Sequence, residues 1–422
     1  MNLKDKHIVV VDTGLALSIT QVLARSFGKV SYYLPNDESY PCSDKDEIGT
    51  GINGVTRIYE LFDCIHLDPK DRTVDCFFFP DIGFSGLQEH LIDLGYPVAG
   101  SLCSDLMELD KEKFYKTLAK AGLPVAPTVT IIGTEKLYAY LKTHKNVVVK
   151  ISKHRGMTET RKVLDLNDAE PWLDDLECKL GRRKMTQKFI VQDMIESDCE
   201  IGMDSLCLDG EHPENSMIGI EAKDSGYFGA VVKEFPPIMQ NINDAMKPTF
   251  ARLGFRGFHS NEIRITEKGE AYSIDDTCRQ PSPPGELFPE MYKDFSQAIW
   301  DLAHDKMPAL NPVAKYGAEL ILTSEWYGKG HWLKVSYPEE IAQFVKLKNF
   351  CKKDGDYWIV PNDNDNYIGA VVATGDNPDK VMAQCLEYAG QVKGYKVTFN
   401  DSAFCEVSEA CKAAEKHGVK IL

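Results

Sequence analysis

Ser260-Asn-Glu262-Ile-Arg264-Ile-Thr-Glu267-Lys268-Gly269-Glu270-Ala-Tyr272-Ser-Ile-Asp275-Asp-Thr277 is two alternating runs separated by Lys-Gly. The spacing predicts a β-hairpin that turns at Lys268-Gly269. A four-residue loop over 267–270 gives the same register. Either way Glu262 faces Asp275, Arg264 faces Ser273 and Ser260 faces Thr277, and the alternate positions Ile263, Ile265, Tyr272 and Ile274 form one apolar face. The opposite face is polar and acidic. Two carboxylates directly across a ladder repel by up to ~1 kcal/mol, a cost that a divalent cation removes. Hard oxygen ligands suit Mg²⁺, which takes one or two carboxylates and completes its shell with water and phosphate oxygens. The hairpin alone also admits a solvated face on which Arg264 neutralises the pair.

Outward from the hairpin the chain reads as α/β. Towards the N-terminus, His7-Ile-Val-Val-Val-Asp12, residues 30–34 and Cys76-Phe-Phe-Phe-Pro80 read as strands, with a helical pattern through Leu17, Val22, Leu23 and Phe27. Ser85-Gly-Leu-Gln88 has capping-box spacing ahead of Leu87, Leu91 and Leu94. This order predicts a parallel α/β unit of about 100 residues. A helix over 110–121 stops at Gly122 with Pro124 beyond, and a charged helix follows over 168–180. Beyond Tyr316, strands over 319–322 and 368–373 precede a helix over 376–390. Boundaries near 102 and 313 divide the chain into an N-terminal α/β domain (1–102), a central domain (103–312) and a C-terminal α/β domain (313–422).

With 422 residues, 43% hydrophobic and 27% charged, most of the chain is expected to fold. The formal net charge of −16 repels phosphate backbones and anionic lipid, and there is no long basic block, so neither nucleic acid nor membrane is an expected partner. The apolar stretch 8–11 is too brief for a signal-peptide core, and no stretch approaches the ~18 residues of a membrane span. The 12 cysteines contain no Cys-x-x-Cys pair, which argues against a disulfide framework or a zinc site and for a reduced, cytoplasmic protein.

Among single motifs, Asn146-Val-Val-Val-Lys150-Ile ends a buried-looking strand on a lysine. That ammonium needs either an anionic partner or, as an edge-strand residue, a path to water. Lys111 and Lys223 are as ambiguous when read singly. Gly49-Thr-Gly51-Ile-Asn-Gly54 fits a dinucleotide fingerprint as a pattern but lacks the preceding strand, so a turn into a helix over 55–62 competes with it. The ten histidines show no metal-ligand spacing, His259 carries little signal, and no Gly-x-Ser-x-Gly offers a serine nucleophile.

Taken in order, Leu109-Asp-Lys111, Gly122-Leu-Pro-Val125, Val147-Val-Val-Lys150, Val191-Gln-Asp-Met-Ile195, Glu200-Ile-Gly-Met-Asp204, Glu221-Ala-Lys223 and the acidic hairpin resemble the ATP-grasp ligases. Pro80-Asp-Ile-Gly83 through Val98-Ala-Gly-Ser101 resembles the α/β domain that precedes them. Gly369-Ala-Val-Val-Ala-Thr-Gly-Asp376 is similar to the C-terminal domain of the phosphoribosylamine-glycine ligase family, so the resemblance covers nearly the whole chain. It implies ATP and Mg²⁺, with Mn²⁺ as an alternative. Lys111 and Lys150 would hold phosphates, the backbone of Gln192, Asp193, Met194 and Ile195 would read adenine, and Glu200 would accept from the ribose hydroxyls. Lys223 matches a phosphate-contacting lysine of the D-alanine:D-alanine ligase branch. The metal-binding acids fall on Glu262 and Asp275.

The family's Glu-x-Asn-x-Arg signature becomes Asp275-Asp-Thr277-Cys-Arg279, in which Thr277 replaces the usual asparagine ligand and Asp276 is an alternative if the strand kinks. Arg279 is the candidate for steadying developing negative charge. The phosphate-covering loop, Ser152-Lys-His-Arg-Gly156-Met-Thr-Glu, has one glycine, with Lys153 and Arg155 as a charged clamp. Arg279-Gln-Pro-Ser-Pro-Pro-Gly-Glu286 departs from the Arg-x-Gly-Asp-Pro-Glu substrate segment, which points to a different acceptor. The implied activity is an ADP-forming ligation of a small-molecule carboxylate to an amine through an acyl phosphate. The competing reading is a nucleotide-binding protein of the same fold with turnover reduced. A peptide acceptor is a third, and the oligomeric state is left open.

Overall fold

The computed structural model describes residues 2–35, 44–151, 160–362 and 366–422. Lys153, Arg155 and the rest of the 152–159 loop lie outside the described residues, as does Cys42. Five parallel strands form the N-terminal sheet in the order Val55–Ile58, Lys29–Tyr33, His7–Val11, Cys76–Phe78, Val98–Ala99. The β-branched His7–Val11 run is buried throughout, as a central parallel strand must be. Successive strands leave it on opposite sides, which opens a crevice at its carboxyl end where Asp12, Thr13 and Asp81 meet.

Two sequence expectations in this region are corrected, and a third, the helix over 110–121, is met. Residues 49–54 lead into the strand Val55–Ile58 rather than a helix, and they dock on the C-terminal region through Gly49 N to Phe350 O (2.9 Å) and Lys352 N to Thr50 O (2.9 Å). The helix Ser85–Asp93 forms without a capping box, because Ser85 is already helical and Gln88 is buried, accepting instead from Leu102 N at 2.8 Å. The helix at 110–121 is Lys111–Lys120, capped by Asp110, whose side chain accepts from Lys113 N.

A large antiparallel sheet runs Ala271–Thr277, Arg256–Ile265, Cys199–Leu208, Ser216–Ala222, Gly226–Val232, Tyr316–Ser324, Tyr367–Gly375, Val345–Leu347. It is continuous across residue 313, because Gly226–Val232 pairs with Tyr316–Ser324. A separate four-stranded sheet, Thr128–Ile132, Lys188–Asp193, Val147–Ile151 and Thr160–Val163, stands against its Ala271–Thr277 edge. Among the described residues no helix is long and apolar enough to cross a membrane, and no cysteine forms a disulfide.

The hairpin keeps its acid pair by two departures that cancel. Its loop has three residues, with Gly269 at φ +78° donating to Thr266 O at 2.8 Å, so Ile265 pairs with Ala271, Arg264 with Tyr272 and Ile263 with Ser273. A bulge at Ile274 then adds a residue, and beyond it Glu262 faces Asp275, Asn261 faces Asp276 and Ser260 faces Thr277. Arg264 is therefore not opposite Ser273. Tyr272 and Ile274 are not fully buried and do not join Ile263 and Ile265 in the core.

Candidate functional site

One face of the large sheet gathers the acids. Glu262 pairs with Gly202, which pairs with Gly219, and alternation places Glu200, Glu221, Glu262, Asp275 and Thr277 on that same face. Gly229 and Gly317 continue the glycine row. Two of these glycines seat Tyr227: a Cβ on Gly219 would lie 2.2 Å from the Tyr227 ring, and one on Gly229 would lie 2.6 Å from it. Lying across the row, Tyr227 donates to Asp204 at 2.7 Å, and Ser260 donates to the other Asp204 oxygen at 2.7 Å. Burial still pushes Asp204 up to about 6, although both donors act against it.

Three lysines converge on this face. Lys111 opens a helix, where the dipole disfavours a cation, and it is 1% exposed; its ammonium pairs with Asp275 at 2.5 Å. Lys150 reaches between the two sheets and donates to Tyr115 Oη and Ile274 O, each at 2.7 Å. The Ile274 carbonyl also accepts from Tyr115 at 2.8 Å, so the bulge residue is the anchor between the sheets. Burial opposes the Lys150 charge, yet Tyr115 and Asp275 outweigh it and its pKa is raised. Burial likewise opposes ionisation of Asp275, but Lys111 and Lys150 hold it well below the usual carboxylate range.

Lys223 lies 3.5 Å from Glu262 and 3.8 Å from Glu221, with its side chain 64% exposed. Burial pushes Glu262 and Glu221 up; Lys223 works against this, while like charge adds to it, from Asp275 and Glu200 on Glu262 and from Glu262 and Glu200 on Glu221. Glu200 is held by Arg264, whose Nε donates to it at 2.7 Å.

Other sequence candidates sit elsewhere. Arg279 is anchored by Glu108 at 2.8 Å and by Gln280 O at 2.9 Å. Gln192 lies in the four-stranded sheet, donating to Thr128 Oγ1 at 3.0 Å. The N–H groups of Asp193 and Met194 are engaged by Pro127 O and Asn146 O, and Ile195 follows the strand end. Asp276 is turned to the reverse face, 1% exposed, and does not replace Thr277 beside Glu262 and Asp275; the bulge precedes it and the alternation is regular from there on. Sequence reasoning did not assign site roles to Tyr115, the Ile274 carbonyl, Glu108 or Glu221. Of these only Glu221 carried a signal, two residues before Lys223 on an alternating strand.

The parallel α/β domain, the two facing antiparallel sheets and the lysines reaching between them make this the fold of the ATP-grasp ligases. No protein-family model matches the sequence, and no curated protein matches it. Among solved structures the chain is similar to phosphoribosylamine-glycine ligase from Thermotoga maritima, with 14% identity over 94% of this chain and 99% of that one and a TM-score of 0.69. The biotin carboxylase domain of 2-oxoglutarate carboxylase from Hydrogenobacter thermophilus, in complex with MgADP, ADP and bicarbonate, is 13% identical over 99% and 96% of the two chains, with a TM-score of 0.65. L-amino acid ligase from Bacillus licheniformis is 14% identical over 94% and 99%, with a TM-score of 0.59.

Proposed function

We propose that the protein is an ATP-dependent, ADP-forming ligase that joins a small-molecule carboxylate to an amine. The observation that carries this is the convergence of Lys111, Lys150 and Lys223 on a face bearing Glu200, Glu221, Glu262 and Asp275. Cations for phosphates and oxygen donors for a hard cation stand within a few ångströms of each other. The donor set fits Mg²⁺: Glu262 is crowded by Asp275 and Glu200, and an oxygen-seeking cation relieves that crowding. Glu262 and Asp275, with the Thr277 hydroxyl beside them, would hold it. When bound, Mg²⁺ supplies charge neutralisation at the β- and γ-phosphoryl oxygens.

The chain's own groups do the rest. Lys111 and Lys150 position the phosphates and offset their charge, Glu200 orients the ribose, and backbone near Ile195 reads the base, since Asp193 and Met194 are already engaged. The γ-phosphoryl group moves from ATP to a carboxylate oxygen, and ADP leaves with the electron pair of the broken P–O bond. The amine lone pair then attacks the acyl carbon, the C–N bond forms, and phosphate leaves with the electron pair of the broken C–O bond. Arg279, held by Glu108, is the donor for the developing oxyanion. No protein nucleophile is required. A second reading, a nucleotide-binding protein with reduced turnover, is favoured by Thr277 standing where the family's signature has asparagine.

The test is ADP release with pools of carboxylates and amines, with hydroxylamine added to trap an acyl phosphate as hydroxamate. Carboxylate-dependent ADP and hydroxamate support ligation. ATP binding without either supports the second reading.

A further inference from the structure

The reverse face of the large sheet holds a cluster remote in chemistry from the nucleotide face. Cys207 and His259 both leave the sheet on this side, because Cys207 pairs with Gly257 and His259 lies two residues further along. The turn through Asp209 and Gly210 folds the chain back so that Leu208 bridges Glu211, and this brings His212 over the same spot. His212 Nε2 is 2.8 Å from His259 Nδ1, and the ligand atoms of Cys207, His212 and His259 all lie within 4.8 Å of one another.

We infer that Cys207, His212 and His259 form a binding site for a zinc-class metal ion, with Asp276 as the positioning residue behind His259. The decisive contact is His259 Nε2 to Asp276 Oδ1 at 2.9 Å. A carboxylate there accepts from Nε2–H and leaves the Nδ1 lone pair facing His212 and Cys207, the carboxylate–histidine–metal arrangement that fixes tautomer and ring orientation. Asp276 is itself held by Asn261 Nδ2 at 2.9 Å, and the rings of Phe250 and Phe255 pack edge-on against His259. Two nitrogens and one sulfur select a borderline ion over Mg²⁺ or Ca²⁺.

Two nitrogens about 2.0–2.1 Å from a tetrahedral ion stand about 3.3 Å apart, so the rings must part by roughly half an ångström. His212, half-buried and on a loop, is the one free to move. A thiol ligates as thiolate, so binding releases one proton from sulfur to solvent. His212 also lines a cavity of about 260 Å³ with Glu211, Glu214 and Phe235, an approach to the site from its His212 side.

The test is a Co²⁺ titration of the chelator-treated full chain, followed by competition. One equivalent should give a thiolate-to-cobalt charge-transfer band and tetrahedral d–d bands, displaced by Zn²⁺ and unaffected by Mg²⁺. Cys207→Ser should abolish the charge-transfer band. His212→Gln, at the cavity rim and tolerable to the fold, should weaken affinity at least 100-fold, and Asp276→Asn by about 10–100-fold. No stoichiometric uptake by the parent, a charge-transfer band retained in Cys207→Ser, or unchanged affinity in His212→Gln would overturn the site.

Discussion

Glu262 and Asp275 face each other, yet neutralising one should have the opposite effect from neutralising the other. Repulsion across the hairpin, considered alone, predicts that Asp275→Asn stabilises the metal-free protein. The structure reverses that sign. Asp275 holds the ammonium of Lys111, which is 1% exposed at the unfavourable end of a helix, and Lys150 adds to the attraction. Removing one partner of a buried ion pair costs about 3–5 kcal/mol. With the Asp275 side chain 28% exposed, the lower end, about 3 kcal/mol, applies. For a cooperative unit of 150–250 residues that is a fall of roughly 6–12 °C in melting temperature.

Glu262→Gln instead removes a carboxylate that is half-buried and crowded by Asp275, and whose cation, Lys223, is largely in solvent. It should be neutral or slightly stabilising, within about 1 kcal/mol. The assay is thermal and urea unfolding of both variants in chelator without nucleotide. Because the folded pKa of Asp275 is depressed, its contribution is present above the ordinary carboxylate range and lost as pH falls below it. Parent and Asp275→Asn should therefore converge only in acid. An Asp275→Asn protein as stable as the parent at neutral pH, or a Glu262→Gln protein destabilised to the same extent, would refute the ion-pair reasoning.

Lys150→Ala should weaken ATP binding by ~1.5–3 kcal/mol, the worth of a charge-assisted contact, and calorimetry showing parental affinity would remove it from the nucleotide site. Burial pushes Asp12 up to about 6, with Asp81 adding to it, so its ionised form is a liability that appears as pH rises through that value. Asp12→Asn should accordingly gain up to about 2–3 kcal/mol over the parent above pH 7 and lose that advantage near pH 4, a difference visible in urea curves at the two pH values. Gly219→Ala should displace the Tyr227 ring and cost about 1–3 kcal/mol, and much of the loss should be absent when Tyr227→Ala is already present; strict additivity would deny the contact.

The hairpin's acid pair, the parallel N-terminal unit and the strand-end lysine Lys150 were legible in the chain because each is written in a period of two or a run of β-branched residues, and such patterns are local. The register was legible only in part. An odd-length loop and a bulge each shift pairing by one residue, and no composition marks Ile274 as the residue that bulges. What tertiary structure alone decided is which charges meet. Lys111 and Asp275 are 164 positions apart, and Lys150 and the Ile274 carbonyl are 124 apart. His259 carried little signal as a single residue and Asp276 read only as an alternative ligand on the acidic face, yet they stand in one hydrogen-bonded line with His212 because two strands and a turn close over the same spot. Side-chain alternation determines which face a residue takes. Only the packing of one sheet against another determines what that face confronts, because burial and Coulomb energy depend on distance in space and not on separation along the chain.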